Sequence, residues 1–147
     1  MSLKERITND MKTAMKAKDK ARVGILRLLT SEIKQVEVDT RTQPDDADII
    51  KMIGKMIKQR KDAASQYENA NRPELAAQEN IEIEVYTAYL PQQLSQDELQ
   101  EMVTTAIEDA NAKGMQDMGR VMGLLQSKIA GRADMGEVSG LVKSRLS

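Results

Sequence analysis

The sequence predicts an all-α protein, with an N-terminal four-helix domain over residues 1–92 and a small C-terminal three-helix domain over residues 93–147. Three observations predict it. Helix-start signatures recur along the chain: Ser2 with Glu5, Asn71 with Glu74, Ser95 with Glu98 and Asp134 with Glu137. Each pairs a cap residue with an acid three positions on, the spacing at which the two satisfy each other's unpaired backbone N–H groups. Apolar residues recur every third or fourth position, which is helical and not strand periodicity. Finally, Leu90-Pro91-Gln92-Gln93-Leu94-Ser95 interrupts the pattern, because proline disfavours helix at the residue before it and a new cap follows four positions later.

The elements follow in order. Leu3, Ile7, Met11 and Met15 stack along one side of a first helix. A second opens at Asp19, buries Val23, Leu26, Leu29, Ile33 and Val36, and ends near Asp39-Thr40, before the loop and cap cluster Thr42-Gln43-Pro44-Asp45-Asp46. The third carries Ile49, Ile53, Met56, Ile57, Ala64 and Tyr67, with Lys51, Lys55, Lys58 and Lys61 as a solvated basic face. After the turn Asn69-Ala70-Asn71-Arg72-Pro73, a fourth holds Leu75, Ile81, Val85 and Tyr89. The fifth, sixth and seventh are marked by Leu99, Met102, Val103, Ala106 and Ile107, by Met118, Val121, Met122, Leu125 and Ile129, and by Val138, Leu141, Val142 and Leu146. The ten methionines are expected to fill the cores in place of the missing aromatics.

Composition narrows the chemistry. A hydrophobic share of 40% with a net charge of −1 is a folded composition and not that of a generic polyanion binder, so any nucleic-acid surface must be a local patch. Cys and His are absent, which removes the usual zinc sites, thiol nucleophiles and imidazole acid/base chemistry. Glu79 and Glu82 share a helix face but make a poor metal pair without histidine; Glu84 does not share a face with Glu82. The expectation is therefore no catalytic residue, no metal and no cofactor. Tyr67, Tyr86 and Tyr89 are too few and too helix-bound for a base-stacking platform. The start Met1-Ser2-Leu3-Lys4-Glu5 lacks an apolar signal core and no run approaches the ~20 apolar residues of a bilayer span, so a cytoplasmic protein with no membrane partner is expected.

Charge is segregated. Residues 95–112 hold five acids and no Lys or Arg, a net of −5; residues 113–147 hold six Lys or Arg against three acids, a net of +3. The N-terminal hairpin is also basic. Gly131-Arg132-Ala133-Asp134 reads as a structural turn, with Gly131 at the left-handed end of one helix and Asp134 as the cap of the next. Arg132 sits in that turn with a planar guanidinium able to grip two phosphate oxygens. With Arg120, Lys128, Lys143 and Arg145 it forms the candidate RNA-binding set. Gly119 and Gly123, four apart, would let a neighbouring helix or an RNA backbone come close, helix packing being the expected reason.

The runs Met11-Lys12-Thr13-Ala14-Met15-Lys16-Ala17-Lys18-Asp19-Lys20, Leu26-Arg27-Leu28-Leu29, Lys58-Gln59-Arg60-Lys61, Tyr89-Leu90-Pro91-Gln92-Gln93-Leu94-Ser95, Met115-Gln116-Asp117-Met118-Gly119 and Gly131-Arg132-Ala133-Asp134 together resemble the YqeY-like family. The resemblance implies an all-helical protein whose C-terminal part is similar to the tail domain of the B subunit of the aspartyl/glutamyl-tRNA amidotransferase. It thereby implies a non-catalytic module that binds tRNA or associates with that amidotransferase or another tRNA-processing enzyme. A protein–protein interaction adaptor, and an accessory part of a carbon–nitrogen ligase with glutamine as amido-N-donor, are the alternatives. Asp134-Met135 stands where the amidotransferase tail usually has Asn-Pro, and the B subunit's large ATP-using portion has no counterpart here.

Overall fold

Seven α-helices and no strand make up the structure, a computed structural model that describes residues 1–147. They are α1 (Leu3–Lys16), α2 (Lys20–Thr40), α3 (Asp46–Asn69), α4 (Pro73–Thr87), α5 (Gln96–Asp109), α6 (Met118–Ile129) and α7 (Met135–Leu146), with a turn of 3-10 helix at Met115–Asp117 leading into α6. No helix is long and apolar enough to cross a membrane. The chain divides into two compact units, Met1–Leu90 and Pro91–Ser147.

Reciprocal capping boxes start α1 (Ser2 with Glu5), α3 (Asp45 with Asp48) and α5 (Ser95 with Glu98), each cap contributing about 1 kcal/mol. Two of the expected starts form differently. Asn71 lies in the left-handed region at φ 60, and α4 begins one residue later from Arg72 with no side-chain cap. Pro73 makes that tolerable, since the N–H it lacks would have had no helical partner. Asp134 caps α7 through the N–H of Gly136, but Glu137 accepts from Gln96 Nε2 instead of closing a box.

In the first unit, Leu3, Ile7, Ile25, Leu26, Leu29, Ile33, Ile49, Ile53, Met56 and Ile57 surround Tyr86 and Tyr89. The expected α1 stripe drifts out of this core. A four-residue step advances about 40° beyond a full turn, so Met15 has rotated away from Leu3 and is 52% exposed, while Ala14 is buried in its place. On α4, Leu75 and Ile81 were expected inside and are instead exposed; Ala76 and Tyr86 are buried. The inward line of that helix runs through Tyr86, whose hydroxyl donates to the Ile25 carbonyl at 2.7 Å. Burial pushes its pKa up to about 12. Most methionines contribute to the cores, but from the margins: Met11, Met52, Met102, Met118, Met122 and Met135 pack against them in partly buried positions. Only Met56 is buried, and Met1, Met15 and Met115 are exposed, because branched aliphatic side chains occupy the inner positions.

In the second unit each helix supplies three buried residues: Leu99, Val103 and Ala106; Val121, Leu125 and Ile129; Val138, Val142 and Leu146. All nine lie at the expected spacing of three or four. Met102, Ile107, Met118, Met122 and Leu141 pack at the margin of this core.

Candidate functional site

The turn between α6 and α7 is fastened to the segment that enters α5. Gly131 takes φ 76, a left-handed conformation that costs a residue with a Cβ and costs glycine little. The N–H of Arg132 then donates to the Ile129 carbonyl at 2.7 Å, and the Arg132 carbonyl accepts from the Leu94 N–H at 2.9 Å. Gln93 Nε2 donates to the carbonyls of Gly131 (2.7 Å) and Pro91 (3.0 Å). Arg132 Nε donates to the Gln92 carbonyl at 3.1 Å. Arg132 is therefore half-buried with one donor committed, where the sequence alone placed it as an unengaged turn residue.

Beside this turn, α5 and α6 form an open groove of about 340 Å³. Leu94, Met102, Ala106 and Leu125 supply its apolar surface, Glu98, Glu101 and Thr105 line it from α5, and Lys128 and Arg132 line it from the α6 side. Hydrogen bonding to Ser95, with the Arg132 charge adding to it, holds the Glu98 carboxyl below the usual carboxylate range. Glu98 thus faces the two cations as a carboxylate near neutral pH. The groove is a mixed-charge trough with an apolar floor.

The five candidate cations do not form one patch. Arg120 pairs with Asp117 at 2.7 Å. That carboxylate also accepts the Lys113 N–H at 2.9 Å, the larger cause of a pKa below its ordinary value. Arg145 Nη2 donates to Thr104 Oγ1 at 2.7 Å. Lys143, two residues away on α7, projects to the other side of that helix, since positions i and i+2 do not share a face. Only Lys128 and Arg132 come together. The unit as a whole carries eight acids against six Lys or Arg, a net of −2.

Gly119 and Gly123 do not serve helix packing within the chain. A Cβ at either would meet nothing within 4 Å, and both are exposed, Gly119 two residues from the buried Val121 and Gly123 two from Val121 and Leu125, hence turned outward. Sequence reasoning missed Glu98 and Glu101 as groove residues; their three-residue spacing on the acidic fifth helix was the available signal. In the first unit, Glu79 and Glu82 are organised around an arginine. Arg60 Nε lies 3.2 Å from Glu82, its guanidinium is stacked 5.0 Å from the Tyr86 ring centre, and Nη1 donates to the Met56 carbonyl. Burial, then the charge of Glu82, raises the Glu79 pKa.

With that geometry in view, comparison with known proteins gives a consistent result. A family model described as "Yqey-like protein" matches residues 4–146. The chain is similar to "Altered inheritance of mitochondria protein 41, mitochondrial" of Pyrenophora tritici-repentis, 28% identical over 130 residues, covering 86% of this chain and 71% of the relative. Proteins of the same name match from Vanderwaltozyma polyspora (36% over 85 residues, 57% of this chain and 46% of the relative) and Clavispora lusitaniae (32% over 105 residues, 70% and 61%). The chain thus spans about half to seven-tenths of the length of these curated relatives. Their names place them in mitochondria, which overturns the cytoplasmic expectation. That expectation rested on the lack of an apolar signal core, a feature that mitochondrial import, which reads amphipathic Arg-rich segments, does not require.

Proposed function

This chain belongs to the YqeY-like family, and from that premise we propose that it is a non-catalytic helical module associated with a tRNA amidotransferase or another tRNA-processing enzyme. In this reading residues 1–92 and 93–147 are separate four-helix and three-helix domains, the second resembling the amidotransferase B-subunit tail. The contact surface is the α5/α6 groove, and its occupant is a protein segment. One observation carries this choice: the groove sets Glu98 and Glu101 against Lys128 and Arg132 over an apolar floor. A uniformly charged phosphate backbone would meet repulsion from the two carboxylates. An amphipathic helix with an apolar ridge, basic on one flank and acidic on the other, complements both walls and the floor.

Direct tRNA positioning by the C-terminal cations is the second reading, favoured by the adjacency of Lys128 and Arg132 on one wall. Crosslinking the protein in cells, then identifying bound proteins and sequencing bound RNA from the same sample, separates the two. Recovery of a tRNA-processing enzyme subunit that is lost in a Glu98→Lys/Glu101→Lys variant supports the groove reading. Recovery of tRNA alone, strengthened by that charge reversal, supports the second.

A further inference from the structure

We infer that the turn between α1 and α2 is a second binding surface, one that takes the phosphate backbone of duplex RNA. It rests on the reading above only for the choice of RNA among polyanions. Lys18, Lys20 and Arg27 surround a shallow depression floored by Met15, Val23 and Gly24, and no carboxylate lines it. The ion pairs of the chain are Lys4 with Glu37, Arg60 with Glu82, Arg72 with Glu74 and Arg120 with Asp117, so all three cations of the turn lack an acidic partner. Over residues 12–27 the chain carries six Lys or Arg against one acid, a net of +5 within a protein whose total is −1. That acid, Asp19, is engaged as the α2 cap, accepting the Arg22 N–H at 3.2 Å.

The backbone adds an independent observation. Lys18 is held at φ 58, a left-handed position that glycine or asparagine fills at lower cost. The sequence places a cation there instead. At Gly24 a Cβ would meet nothing within 4 Å, so the floor is open to an approaching backbone. The surface suits a duplex better than a single strand or a membrane. Lysine-rich, aromatic-free edges give point charges without stacking, which fits a duplex and not a single strand. A chain with no Trp or Phe, and with only Met15 and Val23 as apolar side chains in the depression, lacks the anchors of a membrane-surface helix.

The test is fluorescence-anisotropy titration of the full chain with a deacylated tRNA pool at 50 and 200 mM salt, with duplex DNA, polyglutamate and phosphatidylglycerol vesicles as competitors. Three phosphate contacts predict a roughly 40-fold loss of affinity between the two salt concentrations. Lys18→Asn should lower tRNA affinity and reduce the salt slope by about 1 while the melting temperature holds or rises, because the left-handed turn is relieved. Lys18→Asn/Lys20→Gln/Arg27→Gln should abolish the salt-dependent binding, and Lys51→Gln/Lys55→Gln/Lys58→Gln, with the same change in net charge, should retain it. Equal losses in the two triple variants, unchanged binding in the first, or no tRNA binding at 50 mM salt would overturn the inference. Tighter binding to polyglutamate or vesicles than to tRNA would do the same. Binding that is lost in Lys128→Gln/Arg132→Gln but kept in the α1–α2 variants would overturn it and leave the C-terminal unit as the RNA surface.

Discussion

Arg132 Nε donates to the carbonyl of Gln92 at 3.1 Å, so a residue within the α6–α7 turn also fastens the segment leading into α5. Arg132→Ala should therefore destabilise the C-terminal unit by about 1 kcal/mol, the value of one half-buried hydrogen bond, and not by the near-zero cost of an exposed turn residue. Gly131→Val should cost more, since a β-branched residue resists the left-handed backbone at φ 76. Urea unfolding of the two variants measures both; equal costs would mean that the Arg132 side chain, and not the backbone, secures the turn.

Gly123 is exposed on α6 with open space where its Cβ would lie. Gly123→Ala should raise stability by about 1 kcal/mol through helix propensity alone. A fall in partner binding alongside the gain would assign the glycine to a close approach from outside the chain. Lower stability, read by thermal melting, would refute the open-space account.

Tyr86 links pH to the stability of the first unit. Its folded pKa is raised, to about 12, by burial first of all. Its stabilising contribution is thus complete below the unfolded value near 10 and is lost as pH rises from there through about 12. Tyr86→Phe leaves the Ile25 carbonyl without its side-chain donor, at a cost of about 1–3 kcal/mol at pH 7. Between pH 10 and 12 the variant should lose less stability than the parent. Parallel alkaline unfolding curves would contradict the assignment.

Ser95→Ala removes the acceptor for the Glu98 N–H and should cost about 1 kcal/mol. It also removes the Ser95 hydroxyl, the smaller of the two Ser95 contributions that hold the Glu98 pKa down, while the backbone N–H of residue 95 still donates to the carboxyl, so Glu98 should titrate at slightly higher pH. Carboxyl NMR shifts across pH 3–6 check this. An unmoved Glu98 would show that the backbone N–H of residue 95, with the Arg132 charge, is enough to hold its pKa down without the hydroxyl.

Much of the fold was legible because α-helical periodicity and capping are local. Ser2, Ser95 and the nine core positions of α5, α6 and α7 are each set by neighbours within four residues. The misreadings are where tertiary contacts decide. Tyr86 looks like any helical tyrosine until α2 supplies the Ile25 carbonyl, sixty-one residues away. Met15 looks buried until the stripe's rotation is followed to the helix end. The site was less legible still. Counting charge along residues 113–147 gave a basic segment, but charge acts through space. Folding sets Glu98 and Glu101 beside Lys128 and Arg132, and places Lys143 and Arg145 on different sides of α7.

The central claim, that the α5/α6 groove receives a protein segment, is tested most directly by a photoreactive amino acid at Thr105, an exposed residue that lines it. Irradiation in cells should yield a protein adduct mapping to an amphipathic helix of a tRNA-processing enzyme, and Glu98→Lys/Glu101→Lys should abolish it. An adduct composed of RNA, with no protein crosslink from this position, would contradict the claim.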